Sequence, residues 1–253
     1  MKKKYDSDIK NNVNKLLDRI IIVLIVLIVI SGVFLLIRKE EYNKTVIEVN
    51  DSKLSVGAVE KEISVKEEID SLKKKYKNDE VIGILSIDDE INTPIAQTKD
   101  NQFYLKKSLS LQRSVLGAVF MDYRVNKDSK QINIYGHNST KFNPPFKVLE
   151  GYLNKDYYNE HKYFEFMVND ETRKYEIFSV IVADKDSSEE HMQFSYKKDS
   201  DWLKHFQRLQ KKSKYKINVT VNKNDKIMVL QTCIFGRYHD KLLVIVGKEI
   251  ERK

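Results

Sequence analysis

Residues 226–233 read KIMVLQTC, and residues 242–247 read LLVIVG. Both are short runs of β-branched and other apolar residues, and the polar stretch between them has the length of a loop. Together they predict strand, short loop, strand. Cys233, the only cysteine of the chain, stands where the first strand ends. A thiol there is either incidental or a nucleophile, and the flanking sequence bears on which.

Working outward, the same texture recurs. VIGILSI (81–87), INTPIAQ (91–97), SVLGAVFMD (114–122), QINIYG (131–136), YFEFMV (163–168), YEIFSVIVA (175–183) and KINVTV (216–221) are rich in β-branched and aromatic residues, and several alternate apolar with polar. Eight or nine short strands predict a closed barrel or a sandwich. Helical patterns interrupt them. Residues 146–162 predict one or two short helices. Ser200 is the expected cap of a helix whose Trp202, Phe206 and Leu209 share a face. Upstream, residues 55–76 carry two apolar stripes out of phase, Val56, Val59 and Ile63, then Val65, Ile69, Leu72 and Tyr76. Ser64 and Glu67 between them have capping-box spacing, which predicts two short helices.

The chain has 253 residues, 41% hydrophobic and 32% charged, which fits a folded domain with appendages and excludes disorder. Its net charge of +8 comes from basic residues interspersed with acidic ones, as in KEEIDSLKKKYKNDE, so a nucleic-acid footprint is not expected. Residues 20–37, IIIVLIVLIVISGVFLLI, carry no charge. As a helix they span roughly 27 Å, close to a bilayer core. Insertion is favoured by roughly 5–10 kcal/mol. The RKEEY that follows is not a signal-peptidase site. Six Lys/Arg against three Asp in residues 1–19 place that tail in the cytoplasm. The expected order is therefore a cytoplasmic tail (1–19), a membrane anchor (20–37), an extracytoplasmic spacer (38–54) and a catalytic domain (55–253) that opens with helices over 55–77. With one cysteine, neither an intramolecular disulfide nor a multi-cysteine zinc site is available.

Five histidines are present, none in HExxH spacing, so metal binding is not expected. His137 follows the strand QINIYG directly, which places it at a barrel rim. His205 is expected on a helix surface, and His161 and His191 in solvent. His239 lies in a polar loop near Cys233. A nearby imidazolium or guanidinium stabilises a thiolate, and acyl transfer further needs oxyanion donors. Cys233, His137 and Arg237 supply those types. From the residues alone, a catalytic pair and a buried, inert cysteine both stay open.

The order of NQFYLKKS (101–108), GAVFMDYR (117–124), INIYGHNST (132–140), FKVLEGY (146–152), YYNEHKYFEF (157–166), YEIFSV (175–180) and DKIMVLQTC (225–233), then LLVIVGK (242–248), resembles the sortases. The helices ahead of the barrel and the helix before the penultimate strand are those of class B. The resemblance covers roughly residues 55–250. It implies a mainly β fold: an eight-stranded sortase-type barrel with N-terminal helices and one transmembrane helix. It also implies a cysteine transpeptidase with Cys233 as nucleophile, His137 as proton partner and an arginine for the oxyanion. The family arginine lies eight to ten residues after the cysteine. Here Lys241 falls in that interval, but Arg237 in the loop is the residue expected to serve, with Lys241 as the alternative. Gln231 replaces the family's usual serine. Tyr104, Tyr135, Asn138, Gln231, Thr232 and Ile234 are the residues expected to line the substrate cleft, with the Ile234 N–H a candidate oxyanion donor. The implied partners are surface proteins bearing a C-terminal NPxTx-like sorting signal and an amine of lipid-linked peptidoglycan precursor, on the outer face of the membrane. No cofactor is implied. A pilus-assembling sortase that uses a pilin lysine and a weakly active barrel serving as a binding module are the alternatives. A papain-like enzyme would need its cysteine before its histidine, the reverse of the order here.

Overall fold

The computed structural model describes residues 2–53, 63–88, 90–185, 192–238 and 241–253. Contacts divide the chain into two units, residues 1–47 and 48–253. In the first, a single helix α1 (Lys2–Ser52) contains the apolar stretch, whose side chains are exposed along its length. This helix is long and apolar enough to cross a membrane. The segment expected as a spacer, 38–54, is helical as far as Ser52. Val56 and Val59 lie outside the described residues. The last turn of α1, Glu48–Ser52, belongs to the second unit.

That second unit is a closed eight-stranded barrel. Its strands are β1 (Val81–Ile87), β2 (Ile91–Ala96), β3 (Phe120–Met121), β4 (Gln131–Tyr135), β5 (Tyr163–Val168), β6 (Glu171–Asp184), β7 (Ile227–Ile234) and β8 (Lys241–Arg252). They close in the order β1-β2-β3-β4-β7-β8-β6-β5, with β5 returning to β1. All neighbours are antiparallel except β2 with β3 and β4 with β7. Side chains alternate across a strand. Met228 and Leu230 of β7 therefore join Ile132, Ile134, Leu243 and Ile245 in the barrel interior. Val229 points outward with Val244 and Val246 beneath helix α4 (Asp199–Lys211). The run IMVL lacks alternation because the strand is covered on both faces.

Two helices pack on the outside of the barrel. Helix α2 (Val65–Tyr76) opens with the capping box, Glu67 N bonded to Ser64 Oγ and Ser64 N to Glu67 Oε2. It buries Ile69, Leu72 and Tyr76 against Val81, Ile84 and Phe120. Fully buried side chains of this size each contribute roughly 1.5–3 kcal/mol. Helix α4 buries Trp202, Phe206 and Leu209 on the other side. Ser200 is not its cap. The helix starts two residues earlier, after Lys198, and Asp199 and Asp201 complement the N-terminal dipole instead. The interval 146–162 forms a 3-10 helix, Pro145–Leu153, and α3 (Lys155–Glu160).

Two expected strands are reduced. Of 114–122 only Phe120 and Met121 pair, because Ser114 Oγ takes the N–H groups of Leu116 and Gly117, and Gly117 turns the chain at φ +58°. Residues 216–221 join no ladder. The side-chain amide of Gln210 bonds the carbonyls of Ile217 and Val219, so α4 satisfies that backbone where a strand would have done so.

Candidate active site

β4 and β7 run parallel with Tyr135 level with Gln231. Two residues further on, beyond the regular ladder, stand His137 and Cys233, on the outward face that Tyr135 and Gln231 share. The strand ends are tied by Gly136 N to Gln231 O (3.2 Å), Thr232 Oγ1 to Gly136 O (2.8 Å) and Asn138 Nδ2 to Cys233 O (2.9 Å). Register and these three bonds together thus bring the strand ends that carry His137 and Cys233, 96 residues apart in sequence, to one end of the barrel. Both are half-buried, a position that leaves a thiol reachable.

His137 Nε2 lies 3.0 Å from the carbonyl oxygen of Leu105. A carbonyl only accepts, so Nε2 carries a proton and Nδ1 is the nitrogen whose protonation can change. The Leu105 carbonyl reaches the ring because the chain folds back there. Ala118 N bonds Tyr104 O at 2.9 Å, and a Cβ on Gly117 would stand 2.1 Å from that same oxygen. A cavity of about 50 Å³ opens beside the ring, walled by Leu116, Gly117, Pro144, Pro145 and Glu48. The Glu48 carboxyl is raised by burial, with the Ser108 and Ser114 hydroxyls opposing the rise.

Most of the residues expected to line the cleft are otherwise engaged. Tyr104 is fully buried, its hydroxyl donating to Glu80 at 2.6 Å and accepting from Asn78. Tyr135 packs on Phe120 and donates to Asp122 at 2.7 Å. Thr232 is buried and bonded to Gly136. Asn138 spends both amide protons, on Cys233 O and on Glu150 Oε1 (2.7 Å). The Ile234 side chain is in the barrel core. Its N–H faces β8: the backbone of Gln231 faces β4, and direction alternates along a strand. Ile234 is therefore no oxyanion donor. Gln231 alone of the six is half-exposed and keeps a buried side-chain oxygen, Oε1, without a partner.

The third residue divides the same way. Cys233 pairs across the ladder with Leu242, and Lys241 pairs with Ile234. Lys241 thus projects on the face opposite the thiol, and its ammonium is bonded to Asp184 of β6. The residue across from the thiol is the apolar Leu242. Arg237 belongs to the 3-10 turn Gly236–Tyr238, four residues past the thiol. Among the described residues no cluster of three or more potential metal ligands occurs.

Four features were missed in the sequence. His205 is fully buried in α4, bonded to Gln131 Oε1 at 2.7 Å and flanked by Trp202 and Tyr196. It lies three residues from Trp202, a spacing that marks the buried face. His161 is half-buried against Asp88 at 2.8 Å, whereas His191 and His239 lie outside the described residues. Asp122, fully buried, accepts from Arg124, Asn101 and the Tyr135 hydroxyl. Burial alone would raise its pKa; the Arg124 guanidinium and backbone N–H, with Tyr135 and Asn101, hold it below the usual value. Glu150 in the 3-10 helix, the anchor of Asn138, carried no sequence signal at all.

No family model matches the sequence. Individual proteins do. The chain is 29% identical over 239 residues to sortase B of Listeria monocytogenes, covering 89% of this chain and 95% of that protein. A solved structure of sortase B from Listeria monocytogenes is 30% identical, with TM-score 0.62, over 70% of this chain and 98% of that one. A Staphylococcus aureus sortase B–substrate complex is 27% identical, with TM-score 0.66, over 74% of this chain and 87% of that one.

Proposed function

The chain belongs to the class B sortases, cysteine transpeptidases, and from that premise we propose that Cys233 and His137 join a C-terminal sorting signal to a cell-wall amine. The observation that supports this reading is the parallel register of β4 and β7, which leaves Tyr135 level with Gln231 two residues before His137 and Cys233.

In the first half-reaction the Cys233 thiolate attacks the threonine carbonyl carbon of an NPxTx-like signal. A C–S bond forms, and the carbonyl electrons move to the oxygen. As that oxyanion collapses, the C–N bond breaks and His137 Nδ1 gives its proton to the departing amine, leaving a thioester. In the second, an amine of the peptidoglycan precursor attacks the thioester, His137 takes back a proton, and the thiolate leaves. Arg237 is the residue assigned to the oxyanion, because Lys241 is held by Asp184 and Leu242 has no charge. Gln231, the half-exposed residue nearest the thiol on its face, is assigned to the peptide. The helix α1 is assigned as anchor over residues 20–37, with residues 1–19 cytoplasmic and the barrel outside. Enzyme, signal and lipid-linked acceptor then share one membrane face, which raises their effective concentration.

The test is cleavage of fluorogenic sorting peptides by the full chain in detergent or bilayers, with and without an amine acceptor. Wild-type protein should yield an acyl-enzyme mass on Cys233 and, with acceptor, the transpeptidation product. Cleavage that persists in Cys233→Ala would sink the assignment.

A further inference from the structure

The regular β4–β7 ladder stops at Tyr135 and Gln231, yet the strands stay together for two more residues. In an uninterrupted parallel ladder the N–H of residue 138 would bond the Cys233 carbonyl. Here the side-chain amide of Asn138 takes that place at 2.9 Å. The backbone at 137–138 is thereby released from the sheet, which lets the His137 ring turn to Leu105 while the strand end stays pinned. Asn138 is 5% exposed, directly follows His137, and has its amide orientation fixed by its partners. Nδ2 faces two acceptors, Glu150 Oε1 (2.7 Å) and Cys233 O, and Oδ1 accepts from Ser139 N (2.7 Å); the flipped amide would set oxygen against carboxylate and carbonyl. Glu150 is steadied in turn by Lys147, at 3.2 Å.

We propose that Asn138, braced by Glu150, is a positioning residue that pins the Cys233 end of β7 to the His137 loop. It touches no substrate; it holds the distance between thiol and imidazole. The proposal rests on the reading that Cys233 and His137 are the reacting pair.

Steady-state peptide cleavage by Asn138→Ala, Asn138→Asp, Glu150→Gln and Glu150→Ala tests it in the full chain. Misplacement of a reacting group by about 1 Å costs on the order of 10²-fold, so Asn138→Ala should lower kcat by roughly 10- to 100-fold with KM changed less than about 2-fold. Glu150→Gln keeps an acceptor and should retain more activity than Glu150→Ala. Asn138→Asp separates positioning from packing. Its carboxyl would face Glu150 and the Cys233 carbonyl, with Lys147 partly offsetting the repulsion, and only its protonated form can donate. Relative to wild type, its activity should climb about 10-fold from about pH 8 to about pH 5.5, while the Asn138→Ala ratio stays flat.

Wild-type kcat in Asn138→Ala, a loss confined to KM, or equal ratios for Ala and Asp at every pH would overturn the proposal. The rate of Cys233 alkylation by iodoacetamide, measured on the same proteins, needs neither peptide nor acceptor. If wild type cleaves no sorting peptide, the functional reading fails. The clamp then stands or falls on whether the alkylation pH profile of Asn138→Asp departs from that of Asn138→Ala.

Discussion

The two connections that leave the neighbourhood of Cys233 are built differently. Toward β4, three hydrogen bonds, one of them from the buried Asn138, hold the strand ends at His137. Toward β8, the chain runs through a three-residue 3-10 turn in which Gly236 is exposed at φ +71° with no atom within 4 Å of where a Cβ would stand. The first connection holds its histidine by sheet register and by the Asn138 side chain that extends it. The second carries its arginine on a turn, where length and backbone freedom decide reach. In a site where one charge is set by a sheet and the other by a loop, the loop is where sequences can vary without loss of the barrel.

The largest effects should come from the sheet-held pair. Cys233→Ala and His137→Ala should each lower the rate of peptide cleavage at least about 10⁴-fold, as removal of a nucleophile or its proton partner does elsewhere. On the loop side, Arg237→Ala should cost roughly 10²- to 10³-fold, the range for an oxyanion donor. Lys241→Ala should stay within about 3-fold, since its ion pair with Asp184 is exposed and worth little. Equal losses for these two would erase the contrast between face and turn. Leu242→Arg sharpens it further. Directly opposed side chains lie about 5 Å apart at Cβ, so an arginine at 242 in an Arg237→Ala background should recover activity about 10-fold by supplying the guanidinium from the sheet.

A smaller effect should appear in stability. Asp122→Asn removes the charge that Arg124, Asn101 and Tyr135 converge on, at a cost of about 2 kcal/mol in chemical denaturation near neutral pH. The folded-state pKa of Asp122 is lowered, so its contribution is fully present above the unfolded value of about 3.9 and fades as pH falls through the folded one. The gap between wild type and Asp122→Asn should therefore close in acid. A gap that widened there would reverse the assigned direction. Gly117→Ala should cost about 1–3 kcal/mol, because its Cβ meets the Tyr104 oxygen that Ala118 also needs.

Much of the barrel was legible because each strand is a compact run of β-branched residues bounded by polar turns. The misses share one cause. Residues 114–122 and 216–221 have strand composition, but Ser114 takes amides of its own segment and Gln210 of α4 takes carbonyls of the other. Tyr104, Tyr135 and Thr232 have the chemistry of ligand contacts, but Glu80, Asp122 and Gly136 already hold their hydroxyls. His205 looks like a surface residue until Gln131, 74 positions away, is seen to bond it. In each a side-chain hydrogen bond decides the outcome, near in sequence at Ser114 and far at His205, and neither periodicity nor composition records it.

The sequence by itself determined the apolar helix over residues 20–37, the strands, the capped helix α2, and the two residue types that make acyl transfer possible. Those follow from local pattern and from side-chain chemistry, both written in consecutive residues. Only the tertiary structure decided that Cys233 faces outward, that Leu242 and not Lys241 stands across from it, and that the Asn138 amide bonds the Cys233 carbonyl. Those outcomes turn on register and on which of two faces a residue takes. Because a strand's period is two, a displacement of one residue inverts every one of them.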